Sequence, residues 1–133
     1  MPPRRCPCDS GLPYAECCGR LHDGLRLEGT AAAATAEQLM RSRYSAFVVG
    51  DPAYLLATWH STTRPRTLQL DPNVRWTGLA VLHTTGGTLL AAEGTVEFRA
   101  SYVVDGAPGS QHENSRFARE DGAWRYLDGI ALA

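Results

Sequence analysis

Four cysteines crowd the first 18 residues, as Cys6-Pro7-Cys8 and Cys17-Cys18, and the following 115 residues contain none. The spacing is C-x-C, eight residues, then C-C. Four thiolates so placed can surround one Zn²⁺ tetrahedrally, with Zn–S distances of about 2.3 Å. The ion would hold together a segment too short to bury a core of its own. Disulfides fit less well: Cys6 and Cys8 bracket a single proline, Cys17–Cys18 would close a strained ring, and cross-pairing suits a secreted chain. Residues 1–28 show no apolar stretch able to serve as a signal peptide, so a cytoplasmic location is expected. Thiol redox chemistry is the competing use of such a cluster. Four thiolates around a dication leave net negative charge, and Arg4, Arg5 and Arg20 lie close in sequence to offset it as donors to sulfur. His22 is the nearby substitute ligand, for which four cysteines leave no vacancy.

The other chemistry-bearing residues are scattered. His60, after Trp59, could act as a general base near neutral pH, or its charge could complement a helix C-terminus. Arg41 and Arg43 stand two apart beside Tyr44, so on a helix both cannot point the same way. One is expected to enter the core and pair with a carboxylate such as Asp51 or Asp128, while the other stays outside. The sharper alternative is an anion pocket formed with Arg116. On a strand, Ser115 and Phe117 share one face and Arg116 takes the other. Glu113 and Asp128 also fall in strand-like runs and could turn inward. Trp59, Trp76, Tyr102, Trp124 and Tyr126 are spread along the chain and are expected to pack a core rather than stack bases.

These residues need elements to position them. The 133 residues suit one domain plus a small appendage, and 44% apolar content supports a core. Net charge is −1, so no bulk attraction to nucleic acid or to a membrane exists, and no apolar run is long enough to span a bilayer. All 13 basic residues are arginine, which fits the codon bias of a GC-rich bacterial genome. Residues 29–36, GTAAAATA, read as a linker running into a helix, with Thr35 and Gln38 as a capping box. Leu39, Met40, Tyr44, Phe47 and Val48 then recur at helical spacing, and Gly50 is a stop. Asp51-Pro52 reads as N-cap and first residue of a second short helix carrying Tyr54, Leu55, Leu56 and Trp59. Residues 61–73 form an irregular connection, with one turn of helix at 66–70. Strands are expected at Val74–His83, Leu89–Val104, Gln111–Arg119 and Ala123–Leu127, parted by glycine-rich turns. Helices first and an antiparallel meander after is an α+β arrangement. A strongly twisted sheet of this kind can curl around a helix and leave a cone-shaped cavity.

CPCDSGLPYAECC (residues 6–18) resembles the SEC-C zinc motif. LMRSRYSAFVVGDPAYLLATWH (39–60), SRF (115–117) and WRYLDG (124–129) resemble the YchJ family, also called UPF0225. The resemblance spans essentially the whole chain. It implies a SEC-C zinc knuckle over residues 1–28 and an NTF2-like (cystatin-like) domain over 29–133, with a curved antiparallel sheet packed on helices. It assigns Cys6, Cys8, Cys17 and Cys18 as the ligands. One departure stands out: Asp9 occupies a position where that motif usually has glycine. Asp tolerates a left-handed turn, but its carboxylate would add negative charge beside the thiolates. In NTF2-like enzymes such as ketosteroid isomerases, acid–base groups project into the cone. Tyr44, Trp59, His60, Ser115 and Asp128 are the candidates to line it here.

Three functions follow as expectations. The first is a zinc-stabilised adaptor that binds a protein or ribosomal partner through its knuckle, since the SEC-C tail of the translocase ATPase SecA contacts a chaperone and the ribosome. The second is nucleic-acid binding by the knuckle with Arg4, Arg5, Arg20, Arg26, Arg41 and Arg43. The third is a small-ligand protein or enzyme using the cone, which requires an open cavity with His60 or an inward carboxylate.

Overall fold

A computed structural model describes residues 4–29 and 33–132. A turn of 3₁₀ helix at Tyr14–Glu16 leads into α1 (Cys18–Glu28), followed by α2 (Ala36–Val49) and α3 (Pro52–Ala57). Four strands complete the chain: β1 (Val74–Gly86), β2 (Glu93–Val104), β3 (Ala107–Glu120) and β4 (Ala123–Ala131). They form one antiparallel sheet in the order β1-β2-β3-β4, with α2 packed against it and α1 and α3 packed on α2. The architecture is the expected α+β one. Register breaks at Trp76–Gly78, Val81–His83 and Arg116–Phe117 curve the sheet around α2. Among the described residues, no helix is long and apolar enough to cross a membrane.

The helix ends follow local chemistry. Thr35 accepts a hydrogen bond from the Gln38 amide, and Gly50 closes α2 at φ +77°. Asp51 caps α3 through the Tyr54 amide, with Pro52 at the first helical position. The capping box is half formed, because the Gln38 side chain accepts from Ala34 N–H rather than from Thr35.

Elsewhere the structure corrects the expected bounds. Residues 18–28 form a full helix, α1, which the cysteine reading did not anticipate. Its buried Leu21 and His22 pack against α2 and α3, and Gly29 ends it in the left-handed region. The expected linker follows, with residues 30–32 outside the described part. Trp59 lies beyond α3, not on it. The Thr58 hydroxyl turns back onto Tyr54 O, and the chain then pairs with β4 through His60 N–H to Tyr126 O and Tyr126 N–H to Thr58 O. Residues 66–70 form no helical turn. Leu89–Ala92 are a loop held by Arg119, which donates to Leu89 O and Ala91 O. The β2–β3 turn shrinks to Asp105-Gly106, both at positive φ, so residues 107–109 join β3; Asp121-Gly122 repeats the device before β4.

The cysteine segment shares the larger of two buried clusters, the smaller being Leu21, Ala46, Tyr54 and Leu55. Cys6, Cys8 and Cys18 are buried in the same cluster as Leu39, Met40, Leu79, Phe117 and Trp124. The cysteine segment is therefore seated on α2 and β1 rather than held at a distance by a tether.

Candidate metal centre and cavity

The N-terminal loop closes on itself before it meets the domain. Tyr14 N–H donates to Arg4 O, and Cys6 N–H to Leu12 O, so residues 4–14 fold back as a narrow ribbon. Asp9 and Gly11 turn its tip at φ +63° and +87°. Cys17 and Cys18 arrive at the start of α1, whose positive end favours anionic sulfur. Gly19 is required there, since a Cβ would sit 2.6 Å from Tyr14 O.

All four Sγ atoms lie within 4.8 Å of one another. Cys8 and Cys17 sulfurs are 3.6 Å apart, and Cys17 and Cys18 sulfurs 4.0 Å. Four thiolates about 2.3 Å from one tetrahedral ion stand about 3.8 Å apart, so this donor set fits a metal ion. Left as thiols, the group is electrostatically divided. Hydrogen bonds from Cys18 and Cys8 hold Cys6 far below the usual thiol range, while the same contacts and burial push Cys18 far above it. Buried sulfurs this close cannot all ionise without a cation among them. The Ser10 hydroxyl lies 3.2 Å from Cys17 Sγ, and the Ser45 hydroxyl 3.5 Å from Cys6 Sγ. These are the outer hydrogen bonds that orient ligands.

The arginines are placed differently from the sequence expectation. None of Arg4, Arg5 and Arg20 donates to sulfur; Arg4 instead stacks on the Tyr14 ring. Arg41 reaches the knuckle, donating to Cys8 O at 2.6 Å while its Nε bonds Glu37. Arg41 and Ser45 are one helical turn apart, so the polar side of α2 is the knuckle's seat. Sequence reasoning missed Ser10 and Ser45, although the i, i+4 spacing from Arg41 marks the side of α2 that Ser45 takes. His22 is buried between Tyr14 Oη, 2.6 Å from Nδ1, and Ser42 O, 2.8 Å from Nε2, and is no ligand.

The opposite side of α2 faces a cavity of about 200 Å³ beneath the curved sheet. Met40, Arg43, Tyr44 and Phe47 come from the helix at i, i+3, i+4 and i+7. Glu113, Ser115 and Phe117 come from alternate positions of β3. Trp59, Trp76, Phe98 and Tyr126 supply most of the remaining wall. Tyr44, Trp59 and Ser115 thus line the cavity, and His60 and Asp128 do not. His60 bonds the Thr62 hydroxyl and lies 4.0 Å from Glu120 at the surface. Asp128 faces outward in a two-pronged pair with Arg116, at 2.7 and 2.5 Å. Arg116 is therefore neutralised outside rather than shaping an anion pocket.

Arg43 is the arginine that enters the core, but it meets no carboxylate. Its Nη1 donates to Leu55 O and Thr58 Oγ1, both at 2.7 Å. Its guanidinium lies over the Trp59 and Tyr126 rings, 5.1 and 4.6 Å from their centroids. Burial lowers its pKa to about 10, which leaves it charged at neutral pH. The inward carboxylate is Glu113. It accepts from the Ser115 hydroxyl at 2.5 Å and from Gln111 at 3.2 Å.

Comparison with known proteins extends the picture to the whole chain. The YchJ middle NTF2-like domain matches residues 35–129, and the SEC-C motif matches residues 5–20. A UPF0225 protein of Streptomyces coelicolor is 57% identical over 132 residues, covering 99% of each chain. One from Corynebacterium glutamicum is 48% identical, over 95% of this chain and 96% of its own. The solution structure of a SEC-C motif containing protein from Rhodopseudomonas palustris superposes with a TM-score of 0.78 at 33% identity, over 96% of this chain and 98% of that one. A crystal structure of another, from Psychrobacter arcticus, gives 0.75 at 30% identity, over 96% and 82%.

Proposed function

The chain belongs to the YchJ (UPF0225) family, and on that premise we propose that it is a zinc-binding interaction protein whose knuckle meets a protein or ribosomal partner. The observation that carries this reading is the four-sulfur cluster itself. A closed, all-sulfur donor set suits a structural Zn²⁺, which has no open position for substrate and supplies rigidity when bound. Cys6, Cys8, Cys17 and Cys18 would hold it. The ribbon has two sides. Its inner side is core, while Asp9, Ser10, Gly11 and Leu12 are exposed, Leu12 by half. Arg5 and Arg20 are exposed on the same segment. A rigid loop offering one leucine among arginines supports this reading, as a contact for another macromolecule.

The nucleic-acid alternative draws less support from this arrangement. Arg43 is buried, Arg41 is engaged with Glu37 and Cys8 O, and Arg26 pairs with Asp23. Few free cations of that set remain for a phosphate backbone.

The test has two stages. Native mass spectrometry of wild type and Cys17→Ser reads zinc per chain. A photo-crosslinking residue at position 12 is then compared with one at exposed Leu82 in cells, and ribosome co-sedimentation is followed in parallel. One zinc, with adducts or ribosome association that depend on position 12 and on the metal, supports the reading. A zinc-loaded protein giving neither would remove the interaction role and leave the knuckle a purely structural one.

A further inference from the structure

Arg43 is a buried cation with three of its five N–H groups unassigned. Both of its hydrogen bonds leave from Nη1, and both go to neutral oxygens. Nε and Nη2 have no acceptor, yet they are absent from the fully buried unpartnered atoms among the described residues, where Trp59 Nε1 stands alone. They therefore retain open space, and the space that Arg43 lines is the cavity. An unpaired guanidinium in a poorly solvated site is costly unless an anion joins it. Glu113 lines the same cavity but forms no ion pair with it, being held on β3 by Ser115 and Gln111. Gly129 makes room for that carboxylate, since a Cβ there would lie 2.4 Å from Glu113 Oε2. The cavity thus carries a cation on its helix side and a separate anion on its sheet side.

We propose that this cavity binds a small aromatic monocarboxylate bearing a hydroxyl or amine at its far end. The guanidinium fork matches a planar carboxylate. Glu113 disfavours a dianion such as phosphate by like-charge repulsion, and its oxygens accept from a donor on the ligand. Tyr44, Trp76, Phe98 and Phe117 enclose a flat apolar body between these ends. The volume, about 200 Å³, limits that body to one ring or its equivalent. This site is separate from the knuckle, and either can fail without the other.

The test uses the intact zinc-loaded protein with benzoate, 4-hydroxybenzoate and the neutral isostere 4-hydroxybenzamide. Tryptophan fluorescence is a direct reporter, because Trp59 and Trp76 line the cavity; calorimetry gives the constants. 4-Hydroxybenzoate should saturate with a dissociation constant in the micromolar to low millimolar range. The amide should bind about tenfold more weakly or worse, for want of a charge-assisted bond. Glu113→Gln removes the like charge and should tighten benzoate severalfold, with an unchanged circular dichroism spectrum. Arg43→Met should abolish acid binding; if it does not fold, the isostere pair and Glu113→Gln still decide. No saturable binding of either acid at about 10 mM, or equal affinity for acid and amide, overturns the proposal.

Discussion

The Asp9 carboxylate accepts a hydrogen bond from the backbone N–H of Leu79 at 3.0 Å, across 70 residues of sequence. Leu79 follows the bulge at Trp76–Gly78, where β1 leaves its regular ladder with β2. Asp9 turns the knuckle tip at φ +63° and also fastens the knuckle to the sheet. Its charge is directed at an amide on β1. That gives the departure from glycine at this position a structural role in this chain.

Asp9→Ala should lower stability by about 1–3 kcal/mol, through a part-buried Leu79 amide left unpaired and a left-handed residue that alanine adopts poorly. Asp9→Gly restores the turn but not the acceptor, so its melting temperature should fall between wild type and alanine. Thermal melts in excess zinc check the order. Equal melting of all three would show that the bond contributes nothing.

Removing the metal should disturb the entire domain. Cys6, Cys8 and Cys18 share a core with Leu39, Leu79 and Trp124, so sulfurs that lose the ion joining them and take up protons loosen the packing of α2 against β1. Chelation at neutral pH should lower the melting temperature, with an energetic loss on the order of several kcal/mol, and should change the near-ultraviolet signal of the tryptophans. An unchanged melt after verified metal loss would mean that the knuckle is dispensable to the fold.

His22→Ala should be among the most damaging substitutions outside the cysteines. It opens space against the Tyr54 ring, whose centroid is 4.5 Å from the imidazole, and leaves Tyr14 Oη and Ser42 O without their partner. A loss of about 2–5 kcal/mol is expected in chemical denaturation. Zinc stoichiometry should stay at the wild-type value, which separates a packing histidine from a ligand.

The Arg116–Asp128 pair makes a prediction in acid. Hydrogen bonds from Arg116 hold the Asp128 carboxyl below its ordinary range. The folded state then binds that proton less readily than the unfolded one, so the contribution is full above the unfolded value. It is present in full at neutral pH, small because the pair is exposed, and fades as pH falls through the lowered folded value. In Arg116→Gln, the Asp128 titration followed by NMR should move up toward the ordinary carboxylate value. The melting temperature at neutral pH should hardly change, because the pair is exposed and screened. A titration unmoved by the substitution would show that solvent already outweighs the contact.

Local chemistry was enough to determine a good deal of this protein. Four cysteines at C-x-C and C-C spacing specified a cluster, and Thr35, Gly50, Asp51 and Pro52 marked helix ends because caps act over three or four residues. Alternation along Ser115-Arg116-Phe117 assigned faces, since a strand's side chains repeat every two residues. Partners across the fold were not legible in the same way. Arg41 meets Cys8 O, Arg43 meets Leu55 O and two aromatic rings, and Asp128 meets Arg116, through contacts set by the packing of α2 on the knuckle and by β3–β4 register. His60 left the expected cavity because residues after Thr58 pair with β4, and Glu113 turned inward by the parity of β3. Residue type decided what chemistry was present, and tertiary packing decided which charges were paired, which were buried alone, and which faced a cavity. The reason is that the desolvation governing charged groups depends on neighbours far away in the chain.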